Sequence, residues 1–152
     1  MPETSQSAAP RGELTVRTIA MPADTNANGD IFGGWVLSRM DQAGGIAGVE
    51  RARGRVVTVA LDAMQFIRPV RVGDVLEVYT EVESVGRTSM KIHVEAWARR
   101  FETHVQEKVT DATFTFVAID GDGRRHDCHN GECTCRRRIG CRRLARFPTP
   151  TR

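Results

Sequence analysis

Hydrophobic and polar residues follow two different periods along this chain, and each period predicts a different element. Between about 34 and 52, the residues Val36, Met40, Ala43 and Ala47 recur at the three- and four-residue spacing of one helix face. No other segment shows a clear helical period. We therefore predict a single long helix.

The segments on either side of the helix alternate between apolar and polar residues or form short β-branched runs. Alternation places one face of a strand on a core and leaves the other face polar. The predicted strands cover residues 13–21, 55–67, 75–85, 90–98 and 109–119. Short turns containing Gly or Pro follow most of these runs, so we predict an α+β fold in which an antiparallel sheet packs on one helix.

The two ends of the chain lack these patterns. Residues 1–12 are rich in Ser, Ala, Pro and Gly, and we predict a disordered leader before a domain at 13–120. Residues 121–152 hold nine Arg and all four Cys, and we predict a disordered or non-native tail. Metal binding is the alternative there, but C-x4-C-x-C-x5-C lacks the paired spacing of common zinc sites. We expect neither a bound metal nor nucleic acid.

Charge and cysteine content change the picture of the domain. The net charge of +3 comes from the tail, because residues 1–120 hold 13 basic and 16 acidic residues. Residues 1–127 contain no Cys, which excludes a disulfide framework and a thiol nucleophile in the domain. No segment has the roughly 18 consecutive apolar residues of a membrane span, and the N-terminus has no basic start or apolar run. We expect a cytoplasmic protein that does not contact the membrane.

The predicted helix contains glycines in its interior. Gly44, Gly45 and Gly48 would each cost about 1 kcal/mol relative to Ala in an exposed helix. Close approach by the sheet, by a second subunit or by a ligand chain would explain them, and we favour packing.

Two long stretches carry a resemblance to a known family. "AMPADTNANGDIFGGWVLSRMD" and "GRVVTVALDAMQFIRPVRVGDVLEVY" strongly resemble the YciA-like acyl-CoA thioesterases of the hotdog fold, over about residues 13–120. The resemblance implies a five-stranded antiparallel sheet wrapped around one long central helix. It also implies dimers with a continuous sheet, often assembled as trimers of dimers. The implied reaction is hydrolysis of acyl-CoA to a free acid and CoA, without a separate cofactor.

The resemblance also implies roles for residues of the helix and of the loop before it. Asp41 matches the catalytic carboxylate of the family, and a backbone N–H of Gly33 or Gly34 would polarise the thioester carbonyl. Asn26 matches a recurrent catalytic partner. The residues that we expect near the substrate are Asp30, Gly44, Gly45, Arg68, Arg87, Thr88 and Ser89.

Thioester hydrolysis explains why these residue types are needed. Negative charge develops on the carbonyl oxygen, so the site needs donors there and a group that activates water or attacks directly. Backbone N–H groups at a helix N-terminus are such donors, and glycine allows close approach. Asp41 could be a general base or a nucleophile, and we favour the base. Gly33 and Asp41 are separated by roughly 12 Å along a helix axis. A kink at the glycine pair could bring them nearer, or the donor and the carboxylate of one site could come from different protomers, which is the hypothesis that we favour.

Structural interpretations exist for the same residues. Asp41 could pair with Arg39 or be solvated, and Asp30 could cap the helix or anchor the loop. Arg68 and Arg87 could bind the phosphates of CoA or lie on a solvated face. Thr88 and Ser89 would line the pantetheine channel by resemblance, although hydroxyls are also common in strands.

Two other functions fit the fold less well. A hotdog hydratase or dehydratase relies on a His, and residues 1–92 contain none. A non-catalytic acyl-CoA-binding regulator would need a DNA-binding helical module, for which the N-terminus is too short. We therefore predict an acyl-CoA thioesterase of lipid metabolism with a broad acyl-chain range.

Overall fold

A computed structural model describes residues 9–128, which fold into five strands and one long α-helix. In chain order the elements are β1 (Glu13–Ile19), α1 (Gly33–Ala52), β2 (Arg55–Leu61), β3 (Val75–Val85), β4 (Ser89–Arg99) and β5 (Gln106–Ile119). The strands form one antiparallel sheet in the order β1-β3-β4-β5-β2. The predicted α+β architecture is confirmed.

The core lies between α1 and one face of the sheet. Residues less than 3 % exposed come from both sides of this interface: Val36, Met40, Ala43, Leu76, Ile92, Val94, Phe114 and Phe116. A Cβ on Gly44 would lie 2.8 Å from the Phe116 ring, and one on Gly48 would lie 3.1 Å from Val56 Cγ2. Packing therefore explains Gly44 and Gly48, because only a glycine lets the helix approach the sheet so closely.

Strand β2 is shorter than predicted and forms one edge of the sheet. It ends at Leu61, and residues 62–70 then follow β5 without regular pairing. Asp62 N donates to Thr113 O at 3.0 Å, and Ile67 N donates to Val109 O at 2.8 Å. A register shift in the β2–β5 ladder between Thr58 and Ala60 marks a β-bulge in this edge strand.

The second face of the sheet carries a network of hydrogen-bonded polar side chains around buried carboxylates. Glu77 on β3 is fully buried, and its carboxylate accepts hydrogen bonds from Arg17, Arg99 and Gln106. Burial raises the pKa of Glu77, but these hydrogen bonds outweigh burial and hold the pKa below its ordinary value of about 4.5. The ionised carboxylate is therefore the form that the fold requires.

A second buried carboxylate continues the network on β4. Glu95 Oε2 accepts a hydrogen bond of 2.8 Å from Trp97 Nε1, and Glu95 Oε1 lies 3.2 Å from both Lys108 Nζ and His93 Nε2. Arg11 N also donates to Glu95 Oε2 at 3.1 Å. Burial raises the pKa of Glu95, and these donors lower it further than burial raises it. The chain just before β1 is thus fixed across the sheet.

The "RPVRVGD" turn before β3 is held by its aspartate. Asp74 is buried, and its Oδ2 accepts hydrogen bonds from Arg71 N at 2.9 Å and from Arg100 Nη1 at 2.7 Å. Phe101 N donates to Asp74 Oδ1 at 3.2 Å. The carboxylate therefore joins this turn to the β4–β5 connection and has a structural role.

The first residues of the predicted tail are part of the folded domain. Asp120 N donates to Arg124 O at 2.8 Å, and His126 N donates to Ala118 O at 2.8 Å, so the chain turns back along β5. Cys128 is 2 % exposed and belongs to the core. The rest of the predicted tail, 129–152, and most of the predicted leader lie outside the described residues. Within the described residues, no helix is long and apolar enough to cross a membrane.

Candidate active site

The loop before α1 is closed by its own asparagine. Asn26 Oδ1 accepts hydrogen bonds from Asn28 N at 2.9 Å and from Asp30 N at 3.0 Å. Asn26 N donates to Asp30 O at 2.8 Å, and Gly29 takes a φ of 84° to complete the turn. Asn26 thus shapes the loop that leads into the helix, and a catalytic role for its amide is a further prediction.

The helix begins without a side-chain cap. Its N-cap residue is Phe32, which makes no capping side-chain bond, so of the two structural interpretations of Asp30 the loop anchor is the one observed, through the Asp30 backbone. Within residues 9–128, the N–H groups of Gly33 and Gly34 have no acceptor, as expected for the first turn of a helix. A Cβ on Gly34 would meet no atom within 4 Å. Two backbone donors are therefore available at an open surface.

Asp41 is a residue of α1, and its side chain contacts the edge strand β2. Thr58 Oγ1 donates a hydrogen bond of 2.6 Å to Asp41 Oδ1. Asp41 is half-buried, and its Oδ2 has no partner among the described residues. Thr58 therefore fixes one carboxylate oxygen and leaves the other free to accept a proton.

Three predicted site residues lie on one flank of the helix. Gly34, Asp41 and Gly45 are seven and four residues apart, which places them in a row along the helix. A Cβ on Gly45 would meet no atom within 4 Å, so there is open space beside Asp41. Gly44, which we also expected near the substrate, faces the sheet instead, because the Phe116 ring fills the space at Gly44.

A cavity of about 350 Å³ opens beside the helix N-terminus. Its lining side chains are apolar apart from one basic residue, Arg68, and the lining includes Gly33. Arg68 is exposed, and its Nη1 donates to Lys108 O at 3.2 Å. The cavity is lined by Ile31, Gly33, Val36, Phe66, Ile67, Arg68, Pro69, Val70 and Val109.

The remaining predicted substrate residues lie at the other end of the helix. Arg87 and Thr88 lie in the β3–β4 turn, and Ser89 is the first residue of β4. Arg87 O accepts a hydrogen bond of 2.7 Å from Cys128 N. Cys128 O in turn accepts one from Arg51 Nη1, in the last turn of α1. The 20-residue helix is about 30 Å long. One protomer therefore does not bring Arg87, Thr88 and Ser89 to Gly33.

Sequence reasoning missed Thr58. The residue stands in "RVVTVAL", where one hydroxyl interrupts an apolar run on the strand after the helix. A polar side chain at such a position needs a hydrogen-bond partner, and this was the available signal. In residues 9–128, no cluster of three or more His, Cys, Asp or Glu is placed to hold a metal ion.

Known proteins resemble this chain over most of its length. The sequence profile of the thioesterase superfamily matches residues 28–100. An uncharacterized acyl-CoA thioester hydrolase of Haemophilus influenzae is 55% identical over 117 residues, which are 75% of this chain and 76% of that protein. The acyl-CoA thioester hydrolase YciA of Escherichia coli is 49% identical over 118 residues, 76% of this chain and 89% of that protein.

Solved structures agree with these sequence matches. HI0827, a hexameric broad-specificity acyl-coenzyme A thioesterase, superposes with a TM-score of 0.78 at 50% identity, covering 81% of this chain and 85% of that chain. The hexameric thioesterase y2039 of Yersinia pestis superposes with a TM-score of 0.76 at 49% identity, covering 78% and 97%. A hexameric hotdog-fold thioesterase of Campylobacter jejuni matches at 41% identity. This chain therefore belongs to the YciA-like acyl-CoA thioester hydrolases of the thioesterase superfamily, has the hotdog fold, and is an acyl-CoA thioester hydrolase.

Proposed function

We propose that Asp41 is the general base of this hydrolase and that the enzyme cleaves acyl-CoA thioesters over a broad range of acyl chains. The observation that carries the proposal is the hydrogen bond from Thr58 Oγ1 to Asp41 Oδ1 at 2.6 Å, with Oδ2 left free beside open space at Gly45. A carboxylate held in this way is oriented to bind a water molecule through its free oxygen.

The reaction follows from this arrangement. Asp41 Oδ2 takes a proton from water as the water oxygen attacks the thioester carbonyl carbon. The resulting oxyanion is stabilised by the N–H groups of Gly33 and Gly34. The dipole of α1 also favours negative charge at the helix N-terminus. The intermediate collapses with cleavage of the C–S bond, and the proton passes to the CoA sulfur. The products are a carboxylic acid and CoA.

The donors and the base of one site come from two protomers in this proposal. Gly34 and Asp41 lie on the same helix flank but about 10 Å apart along its axis. A single carbonyl group cannot reach both within one straight helix. A partner protomer would also bring Arg87, Thr88 and Ser89 towards a helix N-terminus, where they could contact CoA. Asn26 and Arg68 would line the entrance to the same site.

Exposed apolar surface supports self-association. Ile46 and Val49 on α1 are 44% and 47% exposed, and Val57, Val59 and Leu61 on the edge strand β2 are at least 38% exposed. An apolar helix face beside an open sheet edge is a surface that a second copy can cover. Several relatives are hexameric, which supports a dimer that assembles further.

Relatives also support acyl-CoA as the substrate and a carboxylate and an amide as the types of catalytic side chain. The acyl-CoA hydrolase of Staphylococcus aureus has been crystallised with butyryl-coenzyme A and with coenzyme A. Matched structures include variants of that hydrolase in which an asparagine or an aspartate is replaced by alanine. Carboxylate and amide side chains in this chain, Asp41 and Asn26, are the corresponding chemical types.

The first experiment compares the parent enzyme with Asp41→Asn on acyl-CoAs of graded length, followed by loss of thioester absorbance. We expect the parent to cleave several chain lengths and Asp41→Asn to lose at least about a hundredfold in kcat, with CoA binding retained. A parent that binds these substrates but cleaves none would refute the proposal. An Asp41→Asn variant as fast as the parent would remove Asp41 from the mechanism.

The shared site is tested by mixing protomers. Hetero-oligomers of Asp41→Asn chains and Gly33→Pro chains would contain some sites with neither defect if donors and base come from different protomers. We expect activity to return in these hetero-oligomers relative to either variant alone. If donors and base belong to the same protomer, every site carries a defect and the mixture stays inactive.

A further inference from the structure

Large apolar side chains are exposed at a second place on the domain, away from α1 and β2. They follow β1, precede β3 and lie in the β4–β5 connection, and they are 41–70% exposed: Met21, Val72, Phe101 and Val105. We call these four residues the Phe101 surface. It shares no residue with the helix face and sheet edge that we propose for the dimer, so the dimer contact does not account for it.

Short contacts join the segments that carry the Phe101 surface. Gly73, the residue after Val72, donates from its N–H to Ala20 O at 2.8 Å. A Cβ on Gly73 would lie 3.5 Å from Phe101 Cβ. The residue before Phe101 donates from its N–H to Val105 O at 2.9 Å. The chain after β1, the turn before β3 and the β4–β5 connection therefore present one continuous surface.

Asp74 fixes the Phe101 surface from beneath. It is 3% exposed, and its carboxylate accepts hydrogen bonds from Arg71 N, from Phe101 N and from the Arg100 guanidinium. A surface that is ordered before binding loses little conformational entropy when a partner covers it. An exposed aromatic residue on a rigid support is typical of a contact between proteins.

A cleft of about 340 Å³ lies directly beside Phe101, which forms part of its wall. Val72 and the Arg100 guanidinium also line the cleft, and both kinds of group pack well against an aromatic ring. Arg71 and Glu102 are exposed at the same cleft, and within residues 9–128 neither side chain has an ion-pair partner. The protomer thus carries an aromatic side chain, a cleft that accepts one, and one unpaired charge of each sign.

We propose that the Phe101 surface joins neighbouring dimers of this chain. Phe101 of one copy enters the cleft of the next, and Arg71 pairs with Glu102 across the contact. A second copy is the partner that fits, because it supplies both the aromatic side chain and the opposite charges. A contact in which one copy's projection fills the next copy's cleft closes into a ring. The inference rests on the proposed assembly of dimers, which needs a contact separate from the one that makes the dimer.

Sedimentation velocity of the full chain at one protein concentration tests this contact. We expect the parent to sediment as several dimers and Phe101→Glu as a single dimer, with the concentration of half-dissociation raised at least about tenfold. Leu14→Glu is the matched control, because Leu14 is 45% exposed on β1 outside both apolar surfaces, and it should keep the parent mass. A Phe101→Glu variant as large as the parent would overturn the inference. Equal dissociation by Leu14→Glu would also overturn it.

Charge reversal tests the pairing across the contact. Arg71→Glu places a carboxylate against Glu102 of the next copy, and Glu102→Arg brings two guanidinium groups together, so each single variant should weaken the assembly. The double variant exchanges the two charges and should regain the parent mass. A double variant that assembles no better than either single variant would refute the pairing.

Acyl-CoA cleavage, measured on the same samples, separates this inference from the proposed reaction. An inactive parent whose assembly depends on Phe101 would refute the hydrolytic mechanism and support the contact. An active parent that is never larger than a dimer would support the reaction and overturn the contact.

Discussion

Thr58 Oγ1 on the edge strand β2 donates a hydrogen bond of 2.6 Å to Asp41 Oδ1 in the middle of the central helix. This contact joins the helix that carries the proposed base to the edge strand. The β-bulge between Thr58 and Ala60 shifts the ladder at this point, and bulges of this kind often re-aim a side chain next to an active site.

Loss of the Thr58 hydroxyl should slow catalysis with little change in substrate binding. A hydrogen bond to a charged group contributes about 1.5–3 kcal/mol, so we expect Thr58→Val to lower kcat by about ten- to a hundredfold. Thr58→Ser retains the donor and should restore most of the rate. If Thr58→Ser were as impaired as Thr58→Val, the hydroxyl would not be the group that matters, and the positioning role would be wrong.

Replacement of Gly33 can separate the backbone donor from its surroundings. Gly33→Pro and Gly33→Ala both place a Cβ near the Phe66 ring, but only proline removes the N–H. Proline suits this first helical position, since Phe32 already has a ψ of 132°. We expect kcat of Gly33→Pro to fall about 100- to 1,000-fold below that of Gly33→Ala. Equal rates for the two variants would exclude the Gly33 N–H as the oxyanion donor.

The neighbouring glycines of the helix should respond in opposite ways to the same substitution. A Cβ on Gly44 would lie 2.8 Å from the Phe116 ring, so Gly44→Ala should destabilise the protein by about 1–3 kcal/mol. Gly45→Ala meets no atom within 4 Å and should be neutral or stabilising. Urea unfolding at one fixed protein concentration measures both. A Gly44→Ala variant as stable as the parent would contradict this account of the helix packing.

The buried Glu77 predicts a pH dependence of stability. Its pKa is lower in the folded protein than in the unfolded chain, so its ionised form stabilises the fold above the unfolded pKa of about 4.5. This contribution is lost as the pH falls through the lower folded pKa. We expect Glu77→Gln to reduce the free energy of unfolding by about 1–3 kcal/mol at pH 7, and the difference from the parent to shrink below pH 4.5. A difference that stays constant down to pH 3 would show that ionisation of Glu77 is not involved.

Local periodicity was sufficient to predict most of the fold. The helix face around Met40 and the five strands each carry a pattern that can be read within a dozen residues. The predicted extension of β2 to residue 67 failed, because its apolar residues resemble a strand while their placement depends on anchors in β5 such as Thr110. Whether the residues after Leu61 continue the strand depends on contacts with a distant segment, so it cannot be predicted from the local sequence.

The site was only partly predictable for the same reason. Gly33, Gly34 and Asp41 are close in sequence, and the helix places them in a predictable relation. Thr58 contacts Asp41 only through tertiary packing. Arg87 and its neighbours lie at the far end of α1, a fact that requires the whole sheet topology. Residues that meet across elements cannot be grouped from spacing alone.

Cys128 gives the protein an internal reporter of local opening. Its thiol is 2 % exposed, burial raises its pKa, and its backbone is bonded to Arg87 and to Arg51. A protonated thiol inside the core does not react with alkylating reagents. The rate at which Cys128 becomes labelled, assigned by fragment-ion mass spectrometry because Cys133 and Cys135 share its tryptic peptide, therefore measures how often the segment after β5 detaches from the helix end. Detachment of this segment can therefore be timed in the protein without any mutation.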